Sequence, residues 1–207
     1  MPVAGVVLAA GRSARMGSPK ALLDFRGLPF AVRILQALEA LEVKTRVVVI
    51  GPDGARIRPA LADRDCVIVQ NDDVDGGPIA SLRVALKALE PFRLSAALVW
   101  PVDLPHVRLA TVERLLEALR RSTGAPAQAA VIPTFGERRG HPVIWNSSVF
   151  SELLKSPAAT SEGARAVLHS HEDRLLSVAV DDPAVIDQVN TPEDYERLVR
   201  DWNRDIY

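Results

Sequence analysis

The sequence predicts an α/β protein built on a mostly parallel mixed sheet, and three observations carry that prediction. Short β-branched runs alternate with segments of helical period from residue 3 to residue 121, the pattern of consecutive βαβ units. The strand-like runs are apolar throughout, as in strands covered on both faces. After Ser122 the rhythm loosens, which predicts some antiparallel pairing added to the same sheet.

Along the chain, "VAGVVLA" (3–9) reads as the first strand and "FAVRILQALEAL" (30–41) as the helix after it. "TRVVVI" (45–50), a short helical piece and "CVIVQ" (66–70) repeat the unit. "IASLRVALKAL" (79–89) puts Ile79, Leu82, Leu86 and Leu89 on one face, as a helix lying on a sheet requires. "AALVW" (96–100) and "TVERLLEALRR" (111–121) close the regular half. Then come "AAVIPTF" (129–135), a polar turn "GERRGHP" (136–142), "VIW" (143–145), two helical segments, "LLSVAV" (175–180) and a final helix. Thr191 as N-cap, Pro192 at N1 and Asp194 at N3 give that helix a variant capping box. No repeat, low-complexity tract or linker divides the sequence, so one domain is expected over 1–207.

Composition narrows the function classes. With 207 residues, 48% hydrophobic and 25% charged, the chain can bury a core without metal or disulfide staples, and neither disorder nor a fibrous class fits. A formal charge of -1 supplies no overall field for tracking nucleic acid, so anion recognition must be local and the ligand small. No apolar run reaches bilayer length and the start lacks a basic n-region, so no membrane partner and a cytoplasmic location are expected. Cys66, the single cysteine, lies in "CVIV" and reads as a small buried hydrophobe.

In an open α/β sheet, ligands bind beyond the carboxyl ends of the strands, so the loops there carry the functional reading. "LAAGRSARMGSPK" (8–20) follows the first strand. It fits neither GxxxxGK[ST] nor GxGxxG, but its glycines admit backbone N–H groups to an anion, and Arg12, Arg15 and Lys20 supply cationic donors. A glycine turn with solvated basic side chains fits the same residues. In "QNDDVDGGPIASL" (70–82) Asn71, Asp73 and Asp75 mimic half of a calcium loop. Leu82 stands where that loop needs a bidentate Glu, so calcium is not expected. Gly76, Gly77 and Pro78 read instead as a turn opening the next helix. In "ALVWPVDLPHV" (97–107) Asp103 lies between two prolines at a strand end, where a carboxylate can hold Mg²⁺ or serve as a turn residue. "GERRGHP" offers Arg138, Arg139 and His141, while His169 and His171 in "HSHED" read as a solvated helix end without metal spacing. Capping does not explain Asn190.

"LAAGRSARMGSPKALLDFRGLPF" (8–30) resembles the opening of the MobA-like nucleotidyltransferases, LA[AG]GxSxRMGxxKxLLxxxGxPLL, and later motifs appear in the family's order. The resemblance implies a three-layer α/β/α Rossmann-like nucleotidyltransferase (nucleotide-diphospho-sugar transferase) fold. It also implies a nucleotide-binding part over about 1–120 and an acceptor-binding part over about 121–207. Leu8, Ala9, Ala10, Gly11, Arg12, Ser13, Gly17 and Lys20 would then wrap the triphosphate, and Asn71, Gly76, Gly77 and Ser81 would recognise base and ribose. His141, in a GHP segment, would lie toward the acceptor. Asp103, from a D-x-P motif, and Asn190, the residue before TPED, would hold Mg²⁺, with Mn²⁺ as a substitute. Lys20, Arg15 and Asp103 are the implied catalytic residues.

The implied reaction is transfer of a nucleoside monophosphate from an NTP to a phosphorylated acceptor, with release of pyrophosphate. LAAG in place of the guanylyl branch's LAGG points to CTP and a molybdenum cofactor cytidylyltransferase, with the molybdopterin cofactor as acceptor and a molybdoenzyme receiving the product. "GGPIAS" resembles the guanylyl branch's GGPLAG, and Gln188 and Asn190 depart from the cytidylyl branch's DIDTPED. A guanylyltransferase, a sugar-phosphate nucleotidyltransferase and a non-catalytic nucleotide- or cofactor-binding module are the alternative expectations.

Overall fold

The computed structural model describes residues 1–73, 75–122 and 127–204. Strands β1 (Val3–Ala9), β2 (Thr45–Ile50), β3 (Val67–Gln70) and β4 (Ala96–Pro101) alternate with helices α1 (Phe30–Ala40), α2 (Gly54–Leu61), α3 (Gly77–Leu89) and α4 (Leu109–Arg121). β5 (Ala130–Phe135), β6 (Arg138–Arg139) and β7 (Val143–Asn146) follow, then the short helices α5 (Phe150–Lys155), α6 (Pro157–Glu162) and α7 (Arg165–Ser170). β8 (Leu175–Ala179) and α8 (Pro192–Arg204) complete the described chain.

The sheet order is β3-β2-β1-β4-β7-β5, with β8 beside β5 and the two-residue β6 turned back on the end of β5. β1 pairs in parallel with β2 and β4, while β7 is inserted antiparallel between β4 and β5. The antiparallel pairing expected after Ser122 is therefore β7 and the β5–β6 hairpin. Because β7 reverses the direction twice, β5 again runs with β1 and β4, and their carboxyl ends share one edge.

Alternation along the central strands makes the three layers. Val7, Leu98, Trp100 and Ile144 face the layer of α1, α2, α4 and α8, whereas Val6, Val99, Val143 and Trp145 face α3, α5, α6 and α7. Each of these central strands is thus buried on both sides. β3 departs from that expectation: it is an edge strand, and its Val67 is 45% exposed. An apolar run cannot distinguish edge from centre, since hydropathy along one strand carries no information about its neighbours. Cys66 lies just before β3, half-buried rather than fully enclosed, with burial pushing its thiol pKa up. Arg83 of α3 binds the Leu153 and Ser156 carbonyls and the Thr160 hydroxyl, each at 2.9 Å, and so ties α5 and α6 to the sheet's second layer. Among the described residues no helix is long and apolar enough to cross a membrane.

Two positions show how sequence choice serves packing. Gly5 lies in central β1 where a Cβ would come within 2.6 Å of Leu38 Cδ1, so the missing side chain is the space that lets α1 settle on the sheet. Asp182, 2% exposed, accepts from Arg108 N, Thr111 Oγ1 and Ala184 N at 2.9, 2.7 and 3.2 Å. That buried carboxylate anchors the segment entering the last helix to the start of α4.

Replacing fully buried Leu38 by Ala leaves a gap that Gly5 cannot fill. The expected loss is about 3 kcal/mol of stability, read as a lower urea midpoint. A second outcome concerns His106, in the β4–α4 loop, whose pKa burial lowers from the ordinary 6.5 against the opposing pull of Asp187 and Asp182. As pH drops below about 6.5 the unfolded chain takes up a proton that the folded chain refuses, so stability falls. His106→Phe, which keeps an aromatic edge toward Phe25, should flatten the acid limb of the stability curve by up to about 1.4 kcal/mol per pH unit.

Candidate active site

A cleft of about 780 Å³ opens at the shared carboxyl edge of β1, β4 and β5. Its first wall is the loop after β1. There Ser13 adopts a left-handed backbone at φ 47, and a short turn over Ala14–Met16 ends at Gly17, at φ 66. The Ser13 hydroxyl donates to Gly11 O at 3.4 Å and accepts from Lys20 N at 3.0 Å, so one side chain closes the loop on itself. At Gly11 a Cβ would meet nothing within 4 Å, leaving room for a ligand against the backbone. Gly51 braces the loop from below: a Cβ there would lie 2.2 Å from the Ala10 carbonyl oxygen. Only glycine allows that approach, and nothing local to residue 51 announces it.

Lys20, Asp103 and Asn190 meet at the centre. Lys20 Nζ donates to Asn190 Oδ1 at 2.7 Å and lies 3.5 Å from Asp103 Oδ2, with the lysine and aspartate side chains 13% and 19% exposed. Asp103 is fixed by the β4–α4 turn. Trp100 Nε1 donates to Leu104 O at 2.9 Å, and Val189 N donates to the Asp103 carbonyl at 2.9 Å. Its second carboxylate oxygen, Oδ1, is buried without a hydrogen-bond partner among the described residues. Such an atom costs stability unless something pairs with it.

Asn190 is positioned by the capping box that follows it. Asp194 Oδ2 accepts from Asn190 N and Thr191 N at 2.9 and 3.0 Å, and Asp194 N donates to Thr191 Oγ1 at 3.2 Å. These bonds, that from Asn190 N first, hold the Asp194 carboxyl below its usual range. The cap thus explains the placement of Asn190 as well as the start of α8, which the sequence pattern leaves apart.

Of the residues singled out from sequence, Leu8, Ala9, Ala10, Gly11, Ser13, Arg15, Lys20, Gly77, Ser81, Asp103, His141 and Asn190 all line the cleft. Arg12, Gly17, Asn71 and Gly76 do not. Arg12 pairs with Asp75 across the rim at 3.1 Å, both side chains exposed. Buried Asn71 donates to Ser81 Oγ at 2.9 Å and to Asp73 O at 3.1 Å, and Gly76 N donates to Asp73 Oδ1 at 2.9 Å. This polar web shapes the loop into α3 and leaves Ser81 facing the cleft. Burial lowers the pKa of His141, with the Asp103 charge opposing, so the imidazole is neutral near pH 7.

The far wall has almost no signature in the sequence. Glu162, Gly163, Ala164, Arg165, Leu168 and His169 contribute to it, over an apolar floor that includes Ile132 and Trp145. Arg165 and His169 stand at i and i+4 on α7, the one sequence signal for a shared face. His169 is exposed and lines the cleft, whereas His171 binds Glu152 Oε2 at 2.7 Å. Arg139 also lines the cleft and pairs outward with Glu172.

The geometry can take an anion along a glycine loop, a cationic side chain at its end, and a hard cation at Asp103. Among the described residues no group of three or more His, Cys, Asp or Glu side chains could hold a metal ion. Mg²⁺ does not need one, since it binds through one or two carboxylates together with substrate phosphates and water. The Asp103 carboxylate, whose Oδ1 lacks a partner, and the side-chain oxygen of Asn190 fit that role.

Comparison with known proteins agrees with this reading of the fold. A molybdenum cofactor guanylyltransferase of Xanthomonas euvesicatoria is 32% identical over 203 residues, covering 97% of this chain and 96% of its own. The crystal structure of Rv0371c from Mycobacterium tuberculosis superposes with a TM-score of 0.78 at 31% identity, covering 97% and 99% of the two chains. A second structure of that protein, in complex with manganese, superposes at 0.75 with 29% identity and the same coverage. Residues 5–183 match the family described as the MobA-like NTP transferase domain, and the chain belongs to that family.

Proposed function

We propose that the cleft transfers a nucleoside monophosphate from an NTP to the phosphate of a molybdopterin acceptor. The observation that carries the reading is the convergence of Lys20, Asp103 and Asn190 at the mouth of the glycine loop. The nucleotide's phosphates lie along Gly11 to Lys20, its base and ribose against Gly77 and Ser81, and the acceptor between His141, Arg139 and the α7 wall. Arg12, Gly17, Asn71 and Gly76 act by shaping these loops.

In the reaction an acceptor phosphate oxygen attacks the α-phosphorus in line. The new P–O bond forms as the bond between the α-phosphorus and the β-bridging oxygen breaks, and pyrophosphate carries away the electron pair. Lys20 and Arg15 stabilise negative charge on the phosphates, while Asp103 and Asn190 are the residues that would hold a divalent cation. Bound there, Mg²⁺ or Mn²⁺ supplies charge neutralisation for the nonbridging and leaving oxygens. No general base is required, because a phosphate nucleophile is already ionised near neutrality. The neutral His141 orients the acceptor. Most of the rate gain is positioning and electrostatics.

The base is where the sequence expectation shifts. LAAG points to CTP, but the Xanthomonas relative is named a guanylyltransferase, and GGP at the start of α3 agrees with that branch. GTP is therefore the first reading. CTP stays the second on Ala10, the residue that makes LAAG, which lines the cleft. NTP use and the single reduced-thiol candidate Cys66 accord with a cytoplasmic location, and a molybdoenzyme receiving the product is the implied partner.

Pyrophosphate release with each of the four NTPs and saturating molybdopterin should occur with GTP, and the Asp103→Ala variant should lose about 10² to 10³ in kcat. Preference for CTP would move the protein to the cytidylyl branch. Release only with a sugar phosphate would replace the acceptor. Tight nucleotide binding without release from any acceptor would make it a binding module.

A further inference from the structure

Lys20 occupies the position a divalent cation would take, and this has consequences for the order of loading. Its ammonium is 2.7 Å from Asn190 Oδ1 and 3.5 Å from Asp103 Oδ2. Those two side chains are the ones proposed above to hold the metal. The inference rests on that reading. Three features show that the ammonium is seated there rather than passing by. The Lys20 side chain is only 13% exposed. Its backbone N is pinned by Ser13 Oγ at 3.0 Å. Asn190 is held in turn by Asp194.

A divalent ion arriving alone meets a monovalent cation already paired with its ligands. To make room Lys20 must withdraw, and without an anion nearby it would stand beside a dication in a partly buried cleft. Like charges at such range are strongly unfavourable in a site of reduced dielectric. A triphosphate reverses the balance: the glycine loop lies directly before Lys20 in the chain, so phosphates seated there offer the ammonium a new partner. Asp103 Oδ2 and Asn190 Oδ1 are then freed, and Asp103 Oδ1, unpaired in the buried wall, gains a counterion.

We propose that Lys20 is a charge placeholder. It keeps the divalent site closed until a nucleotide's phosphates draw its ammonium away, so that cation and nucleotide load together. By linkage, whatever factor the nucleotide adds to cation affinity, the cation adds to nucleotide affinity. The lysine therefore has two separable duties, phosphate contact in the loaded state and exclusion of free cation in the empty one.

The test is Mn²⁺ affinity of nucleotide-free protein, followed by electron paramagnetic resonance of the free ion. Wild type is compared with Lys20→Met, which removes the charge, and Lys20→Gln, which keeps a hydrogen-bond donor for Asn190 without it. Both variants should bind Mn²⁺ about tenfold more tightly than wild type, within the 5 to 150-fold span typical of site coupling. Adding Asp103→Asn to Lys20→Met should abolish the gain. Unchanged or weaker Mn²⁺ affinity in the Lys20 variants, with thermal melts showing them folded, overturns the placeholder role. Tight binding that survives Asp103→Asn overturns the metal-centre reading itself, so the two failures are distinguishable.

Discussion

A carboxylate with one oxygen paired and the other unpaired organises this protein. Asp103 Oδ2 faces Lys20, while Oδ1 is buried with no partner among the described residues. Burying an unpaired acceptor carries a cost of about 1–3 kcal/mol, more for a charged group, and the fold around it prevents the easy escapes. The Trp100 indole locks the turn, the Val189 amide holds the Asp103 carbonyl, and prolines at 101 and 105 stiffen both sides. The group is kept in a state that a ligand can relieve.

Topology is what places the other groups beside it. β1 and β4 are adjacent and parallel, so the loop carrying Lys20 and the turn carrying Asp103 leave the sheet at the same edge, 83 residues apart in sequence. Insertion of β7 sets β5 parallel to them and brings the turn with Arg139 and His141 to that edge as well. Gly140 makes the last approach: its amide donates to Pro133 O, and a Cβ would lie 2.4 Å from the Val185 carbonyl. The segment after β8 thereby packs under the turn, and its continuation delivers Asn190.

Much of this could be read from residues that act through their immediate neighbours in the chain. The βαβ rhythm, the capping box at Thr191 and the strand-end position of Asp103 each depend on spacing alone, and each appears where spacing put it. What escaped depends on partners distant in sequence. Gly51 looks like an ordinary turn glycine until the Ala10 carbonyl is set against it. Asp182 looks like a surface acid until Arg108 and Thr111 close over it. Nothing next to Asn71 in the chain shows that its amide donates to Asp73 O and Ser81 Oγ. The α7 wall lies where the alternating pattern lapses, and short helices carry too few turns for a periodic signal.

The neutral side chain at 190 joins these threads. Asn190 offers a neutral side-chain oxygen where an aspartate of the same length would offer a carboxylate. Counted by formal charge, Lys20 and Asp103 cancel and Asn190 adds none. An aspartate at 190 would leave the trio negative and attract a free cation. With asparagine, the charge that would retain a dication in the proposed site would have to arrive on the nucleotide itself. The amide oxygen still accepts the Lys20 hydrogen bond, more weakly than a carboxylate would, without adding a charge that a dication could exploit. On the proposed order of loading, this one amide, held in place by the cap of the final helix, would favour a loaded nucleotide over a free ion.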